Sequence, residues 1–314
     1  MILCAGEALI DMLPGVLAGH EGPGFRPKAG GAVYNTALAL GRLGVPVGYL
    51  WPISRDALAE TVLLPPLVQA QVDISLCPRP ERPTTLAFVE LAEGQASYRF
   101  YDEGSAGRMF SIAELPALPA SVLALFIGGI SLVPDPCGAT IEELVARARA
   151  KGIPVMLDPN IRPFFIRDEP AYRARLTRLL AQADMVKLSF EDIDWLTGGD
   201  GSGDDLIAAI LAMGPKVIFV THGEQGAEAH WQGGKTARPA IPVPVQDTIG
   251  AGDTFNAGIL AHLLRAGALQ GGLATLDADM LGAALSLAVA AAAVTVSRQG
   301  ANPPWAHEMA AHGE

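Results

Sequence analysis

From about residue 122 to 187, short apolar runs alternate with longer helical patterns, and few folds accommodate that rhythm. Residues 123–127, 154–157 and 185–188 are continuous apolar stretches too short for helices, so they read as buried strands. Between them, residues 137–151 and 170–183 carry helical spacing. Strands separated by helices of that length return parallel, which predicts an α/β fold: a doubly wound, mostly parallel sheet with helices on both faces. Residues 216–221 add a further strand, and residues 1–10 a first one that ends at Asp11. In such sheets ligands bind outside the carboxyl ends of the strands, so residues just after each strand become candidates.

One stretch near the C-terminus carries a candidate anion site. Gln246 to Asn256 reads QDTIGAGDTFN, and from Phe255 onward Ile259, Leu260, Leu263 and Leu264 take up helical spacing. Gly250, Ala251 and Gly252 therefore open a helix with almost no side chain to shield their amides. Unpaired N–H groups and the positive end of the helix dipole form an anion site. Asp253 puts a carboxylate beside it. As a first-turn acid it would complement the dipole; as a base it would take a proton from a hydroxyl attacking a phosphoryl group held by the amides.

Composition narrows the alternatives. Half of the 314 residues are hydrophobic and 18% are charged, which excludes a largely disordered chain. A net charge of −11 argues against non-specific nucleic-acid binding. Cys4, Cys77 and Cys137 lack CxxC spacing, which fits a reducing, cytoplasmic setting without a zinc site. No basic leader opens the chain, and the uncharged run 280–297, rich in alanine, reads as a buried helix rather than a membrane span.

The motif Asp-Thr-x-Gly-Ala-Gly-Asp at 247–253 resembles the C-terminal signature of the PfkB, or ribokinase-like, sugar kinases. A second motif agrees: Gly30-Gly31-Ala32-Val33-Tyr34-Asn35, followed by Ala39-Leu40-Gly41-Arg42-Leu43-Gly44, resembles the family's N-terminal signature. The resemblance implies an ATP-dependent kinase with Asp253 as catalytic base, Gly250, Ala251 and Gly252 as anion hole, and Asp11, Gly30, Gly31 and Asn35 facing the sugar hydroxyls. Residues 158–163 (DPNIRP) resemble a stretch frequent in the fructokinase branch, where Arg162 neutralises phosphate charge and Asp158 and Asn160 hold the arginine and the strand end. Lys187 and Ser189 align with an Asn-x-x-Glu motif at the nucleotide phosphates, with Asp192 in the acid position, facing Mg2+ through water. Thr221, Gly223 and Gly226 match the family's Thr-x-Gly-x-x-Gly nucleotide loop, and Asn256 joins the nucleotide set. The carboxylate of Asp247, with carbonyls around Ile249, Thr295, Arg298 and Gly300, would bind a monovalent cation such as K+.

Residues 84–89 and 95–101 form a predicted β-hairpin turning at 92–94. With the Gly/Pro-rich excursion 12–27 this gives a β-sheet lid (12–27 and 84–103) on a kinase domain (1–11, 28–83 and 104–314). Phe88, Tyr98 and Phe100 are placed on its inner, sugar-facing side, and an exposed apolar face would be buried in a homodimer. The sequence departs from the family pattern at Asp192, which stands where the motif has Glu, and at residues 51–59, where Asp56 stays and the glycines are lost; Trp51 reads as core. Fructose is the first substrate candidate. A keto-deoxy sugar acid is the competitor, its carboxylate met by Arg99 or Tyr98, and nucleosides share the scaffold. A non-catalytic sugar- or nucleotide-binding regulator is the reading from another class. A dinucleotide oxidoreductase would want Gly-x-Gly-x-x-Gly after the first strand, which Gly6-Glu7-Ala8 does not supply.

Overall fold

The computed structural model describes residues 1–15, 22, 24–92, 95–274 and 276–309, with the side chains of 90–98 outside that description. Twelve strands are described: β1 (Ile2–Ala5), β2 (Leu9–Gly15), β3 (Gly24–Gly30), β4 (Val47–Leu50), β5 (Leu86–Ala92), β6 (Gln95–Tyr101), β7 (Ala124–Gly128), β8 (Val155–Asp158), β9 (Met185–Ser189), β10 (Val217–Thr221), β11 (Ala227–Trp231) and β12 (Gly234–Arg238). The helices are α1 (Ala32–Arg42), α2 (Leu64–Gln69), α3 (Cys137–Ala150), α4 (Glu169–Leu180), α5 (Phe190–Thr197), α6 (Gly203–Met213), α7 (Ala251–Arg265), α8 (Ala278–Val296) and α9 (Ala306–Met309).

Eight strands form the main sheet in the order β12-β11-β10-β9-β8-β7-β1-β4. From β4 to β10 the pairs are parallel, and β11 and β12 close the edge as an antiparallel hairpin. The parallel strands are buried on both faces, which is why they read as unbroken apolar runs. Helix α8 is long and apolar enough to cross a membrane, but two thirds of it is buried inside the protein, against α7 and the β11–β12 hairpin. Its alanines let it approach α7 closely; the backbone of Gly258 in α7 lies against Ala288.

Chain order runs outward in both directions from β1, toward β4 on one side and β7 on the other. The β1/β7 boundary is therefore the topological switch point, where the crevice for a ligand opens.

A second sheet, ordered β3-β2-β5-β6, stands beside the first. It corrects the sequence reading of residues 1–11. The first strand stops at Ala5, the chain turns at Gly6, and Leu9 already belongs to the small sheet. Asp11 thus sits on a strand of the small sheet rather than at the end of β1, and that sheet takes in Leu9–Gly15 and Gly24–Gly30; residues 16–21 and 23 of the expected 12–27 excursion lie outside the described residues. The hairpin β5–β6 lies where expected; residues 93 and 94 of its turn are outside the described residues.

Its register decides which lid residues face the site. Side chains paired across a sheet share a face and alternate along each strand. Asp11 pairs with Lys28 and Ala87, and Ala87 with Phe100, so these share one face. Phe100 packs on Phe165 (centroids 4.9 Å apart, edge-on) and stacks on Phe164 (6.1 Å), both just beyond the end of β8. That face looks at the main sheet. Phe88 pairs with Arg99 and Met12 and clusters with Phe25 (4.9 Å) and Tyr101 (5.4 Å), so it turns the other way. The sugar-facing placement of Phe88 is overturned by this parity, as is that of Arg99. The Tyr98 side chain lies outside the described residues.

The root of the lid is pinned by Asp56, the acid kept in the divergent 51–59 segment. Its carboxylate accepts the Thr84 N–H (2.7 Å), the Thr84 hydroxyl (2.9 Å) and the Ala59 N–H (2.8 Å). These bonds hold its carboxyl below the usual range, against the upward push of burial. Trp51 is core, as expected, edge-on to Phe110 at 5.6 Å.

Candidate active site

The carboxyl ends of β8, β9 and β10 present Asp158, Ser189 and Thr221, and the mouth of α7 lies over them. Gly250 is the N-cap of α7 at φ +80°, and a Cβ there would come within 2.9 Å of the Ala301 backbone. Both facts demand glycine, because a left-handed backbone and a close approach each exclude a side chain. The first helical bond is Thr254 N–H to Gly250 O (2.9 Å), so the Gly252 and Asp253 amides lie ahead of the helical ladder. Ala251 N–H is drawn back to Thr248 O at 3.3 Å. Of the three expected anion-hole residues, Gly252 offers the clearest donor.

Asp253 is 7% exposed and accepts a hydrogen bond from Asn35 Nδ2 at 2.8 Å; Thr36 Oγ1 lies 3.2 Å from its backbone carbonyl. Burial pushes its carboxyl up to about 7; the Asn35 bond, Lys187 and Arg162 pull it down, and Asp158 adds to the rise. A carboxylate with a proton affinity near neutrality suits a general base. The acid limb of kcat/KM is therefore predicted near pH 7, activity falling as pH drops and Asp253 takes up a proton, checked by initial rates from pH 5 to 9.

Beneath the helix mouth, Lys187 is 4% exposed, and its Nζ lies 3.3 Å from Asp158 Oδ2. A Cβ placed on Gly252 would lie 3.3 Å from that same Nζ, so the ammonium sits directly under Gly252. Burial alone would lower the Lys187 pKa, but Asp158, Asp192 and Asp253 outweigh it and the net shift is upward. The amine stays charged.

Other expected roles are redistributed. Asp158 does not hold Arg162; it accepts from Asn256 Nδ2 (2.6 Å), pairs with Lys187 and caps Asn160 N–H (3.1 Å). Asn256, expected at the nucleotide, is 1% exposed and turned inward to Asp158. Arg162 is exposed at the edge, its Nη1 donating to the Ile161 carbonyl (3.0 Å). Asp192, expected to reach Mg2+ through water, is buried in a capping box: Oδ2 accepts the Ser189 N–H (2.8 Å) and hydroxyl (2.9 Å), and Oδ1 the Ile161 N–H (2.7 Å). Its carboxylate faces protein donors because Asp is too short to extend past its own helix start. Ser189 is the other half of that cap, and it pairs in register with Thr221 on the next strand. Gly223 and Gly226 follow Thr221 in a tight turn closed by Gly226 N–H to Gly223 O (3.2 Å), beside an open cleft of about 440 Å³ lined by His222, Gln225 and Arg238.

Among the residues expected at the sugar, Gly31 caps α1 at φ +112°, where a Cβ would collide with the Glu7 carbonyl. Gly30 lies against the Asp11 carboxylate, which burial pushes up to about 6 despite the nearby Lys28. Asp247 ties the expected cation loops together, accepting from Ile249 N–H (3.0 Å) and Gly300 N–H (2.7 Å). Gln246 N–H reaches Val296 O (2.8 Å), and the Thr295 hydroxyl bonds Thr254 Oγ1 (2.9 Å). The Arg298 guanidinium pairs with Glu308 at 2.6 Å, which leaves its carbonyl as expected.

Sequence reasoning assigned Glu7 no role. It lies at the β1/β7 switch point, 5% exposed, accepting from Ala32 N–H (3.0 Å) and Ser131 N–H (3.3 Å). An acid directly after a buried parallel strand was the signal available for it.

A doubly wound sheet whose carboxyl edge joins a helix-mouth anion site, a buried lysine and a near-neutral buried acid, under a small β lid, defines a phosphoryl transferase for a small hydroxyl acceptor. The chain belongs to the pfkB family carbohydrate kinases, whose family model matches residues 1–308. It is 51% identical over 263 residues, 84% of this chain and 79% of the relative, to a fructokinase of Rhizobium leguminosarum bv. trifolii. Its fold matches the fructokinase of Xylella fastidiosa with bound ATP at a TM-score of 0.88 and 29% identity, covering 100% and 99% of the two chains. A fructokinase double mutant of Vibrio cholerae O395, with fructose, ADP and potassium bound, shares the fold at a TM-score of 0.81 and 24% identity, covering 96% of this chain and 93% of that one. The ribokinase-like architecture and the assignment as a sugar kinase hold.

Proposed function

We propose that this chain transfers the γ-phosphoryl group of ATP to a hydroxymethyl of fructose. The observation that carries the reading is the buried Asp253 carboxylate, poised near pH 7 at the mouth of α7, beside the Gly252 amide and the Lys187 ammonium. Asp253 accepts the proton of the sugar hydroxyl. The sugar oxygen bonds to the γ-phosphorus as the bond to the β,γ-bridging oxygen breaks, and ADP leaves with that electron pair. Amides and ammonium meet the negative charge on the moving group. Arg162, exposed at the same edge, adds charge from the side. Asp11, Gly30, Gly31 and Asn35 hold the sugar, with Phe100 of the lid limiting water above it. Lys187, Ser189, Thr221, Gly223 and Gly226 line the nucleotide side.

Among the described residues, no group of three or more His, Cys, Asp or Glu side chains is placed to hold a metal ion. Mg2+ is proposed to arrive on the nucleotide phosphates with its own water, as this ion prefers. When bound, it neutralises phosphate charge. The loops joined by Asp247 are proposed to take a monovalent cation through carbonyls near Ile249, Thr295 and Gly300. The relative from Vibrio cholerae carries potassium.

Fructose is preferred over a keto-deoxy sugar acid because Arg99, the guanidinium offered for that carboxylate, is on the lid face turned from the sheet. The test is ADP release with Mg2+ and ATP against ketoses, keto-deoxy acids and nucleosides, with and without K+. Fructose is expected to give the highest kcat/KM; faster turnover of a sugar acid would overturn the substrate assignment, and turnover of none would favour a regulator. The free, buried cysteines support a reducing cytoplasmic setting.

Phe25 and Tyr101, 38% and 56% exposed, flank Phe88 on the lid's far face, and a second copy of the chain is the proposed cover. Tyr101→Glu combined with Phe25→Glu is predicted to convert a dimer to a monomer in sedimentation velocity. A wild type already monomeric at tens of micromolar would contradict that assembly.

A further inference from the structure

Glu7 is used by none of the steps above, yet it stands at the switch point between β1 and β7. Its Oε1 accepts the N–H of Ala32, the first residue of α1 (3.0 Å), and its Oε2 the N–H of Ser131 in the turn after β7 (3.3 Å). Gly129 in that turn packs directly on the same carboxylate. One turn along α1, Asn35 N–H closes on Gly31 O (2.9 Å), and Asn35 Nδ2 donates to Asp253 (2.8 Å). Thr36 Oγ1 lies within 3.0 Å of the Ala32 carbonyl and 3.2 Å of the Asp253 carbonyl. The first turn of α1 is thus clasped between two buried acids 246 residues apart, Glu7 on one side and Asp253 on the other.

We propose that Glu7 is a positioning residue for phosphoryl transfer: it fixes the first turn of α1 so that Asn35 keeps its amide on the Asp253 carboxylate. This rests on Asp253 acting as the base. A helix N-terminus held only by its own cap would tolerate small rotations. Here an acid from another strand sets the turn, and a one-bond displacement would carry Asn35 off Asp253.

The groups facing Asp253 fix the sign of the consequence. They are Asn35 from α1, Asp158 from β8, Arg162 after it, Lys187 from β9, and Glu7 after β1. Asn35 is the strongest of those holding the Asp253 pKa down, and Glu7 acts on it less than Asn35, Asp158, Lys187 or Arg162 do. Losing the Asn35 bond therefore outweighs losing Glu7, and the Asp253 pKa rises.

Glu7→Gln offers one acceptor oxygen where two N–H groups need one each, and Ala32→Pro removes the Ala32 donor at a first helical position where proline is tolerated. Each is expected to move the acid limb of kcat/KM to higher pH and to lower kcat roughly tenfold to a hundredfold. In an Asn35→Ala background neither should cost much more, because all three changes break one chain of contacts. An acid limb that stays in place, with losses that multiply in the double variants, would reduce Glu7 to a structural cap and overturn the proposal. Ala32→Pro keeps the test available should Glu7→Gln fail to fold. A wild type that phosphorylates no sugar overturns the base assignment and this proposal together; an active wild type with additive variants overturns this proposal alone.

Discussion

Asp253→Asn is expected to lose roughly 10²–10⁴ in kcat while binding sugar nearly as well as wild type. The side chain keeps its shape, and the amide can still meet Asn35 if one of the two carboxamides turns over. What disappears is the acceptor for the proton of the attacking hydroxyl. The groups proposed to bind the sugar, Asp11 and the Gly30–Gly31 backbone, are untouched by the change. Burial is what makes the loss large: Asp253 is 7% exposed, so bulk water does not readily replace the lost base. Isothermal titration with sugar, paired with steady-state turnover, separates the two effects. Wild-type turnover in this variant would mean that the carboxylate only complements the helix dipole.

Lys187→Met has two consequences of different kinds. The Asp158 carboxylate, 2% exposed, would lose its cation in the interior, and breaking a buried pair by removing one partner costs about 3–5 kcal/mol. Asp158→Asn in the same chain should restore most of that stability by removing the stranded charge, read from denaturant midpoints. Activity should not return, because the ammonium under Gly252 is gone in both variants. A double variant as active as wild type would show Lys187 to be a structural ion pair alone.

Much of this was readable from residues. Uninterrupted apolar runs spaced by helical stretches marked β7, β8 and β9 to within a residue or two, since parallel strands are buried on both faces and leave no alternation to confuse. The glycines at 250 and 252 declared a bare helix mouth. What escaped was set by contacts between distant segments. Nothing local distinguishes Asp11 on a continued strand from Asp11 after the chain has crossed into a second sheet at Gly6. Phe88 and Phe100 look alike in sequence, and the cross-strand register places them on opposite faces. Asp192 and Asn256 carried family roles, but a capping box and the Asp158 carboxylate claimed them once β8, β9 and α7 were brought together. Glu7 depended on α1 and on the turn after β7, neither of which its neighbours in sequence describe.

The most direct test is to follow ATP and fructose with the wild-type chain by ³¹P NMR. A phosphomonoester on a fructose hydroxymethyl, growing in step with ADP and lost with Asp253→Asn, is the predicted result. ADP accompanied by inorganic phosphate alone, or equal product from Asp253→Asn, would contradict it.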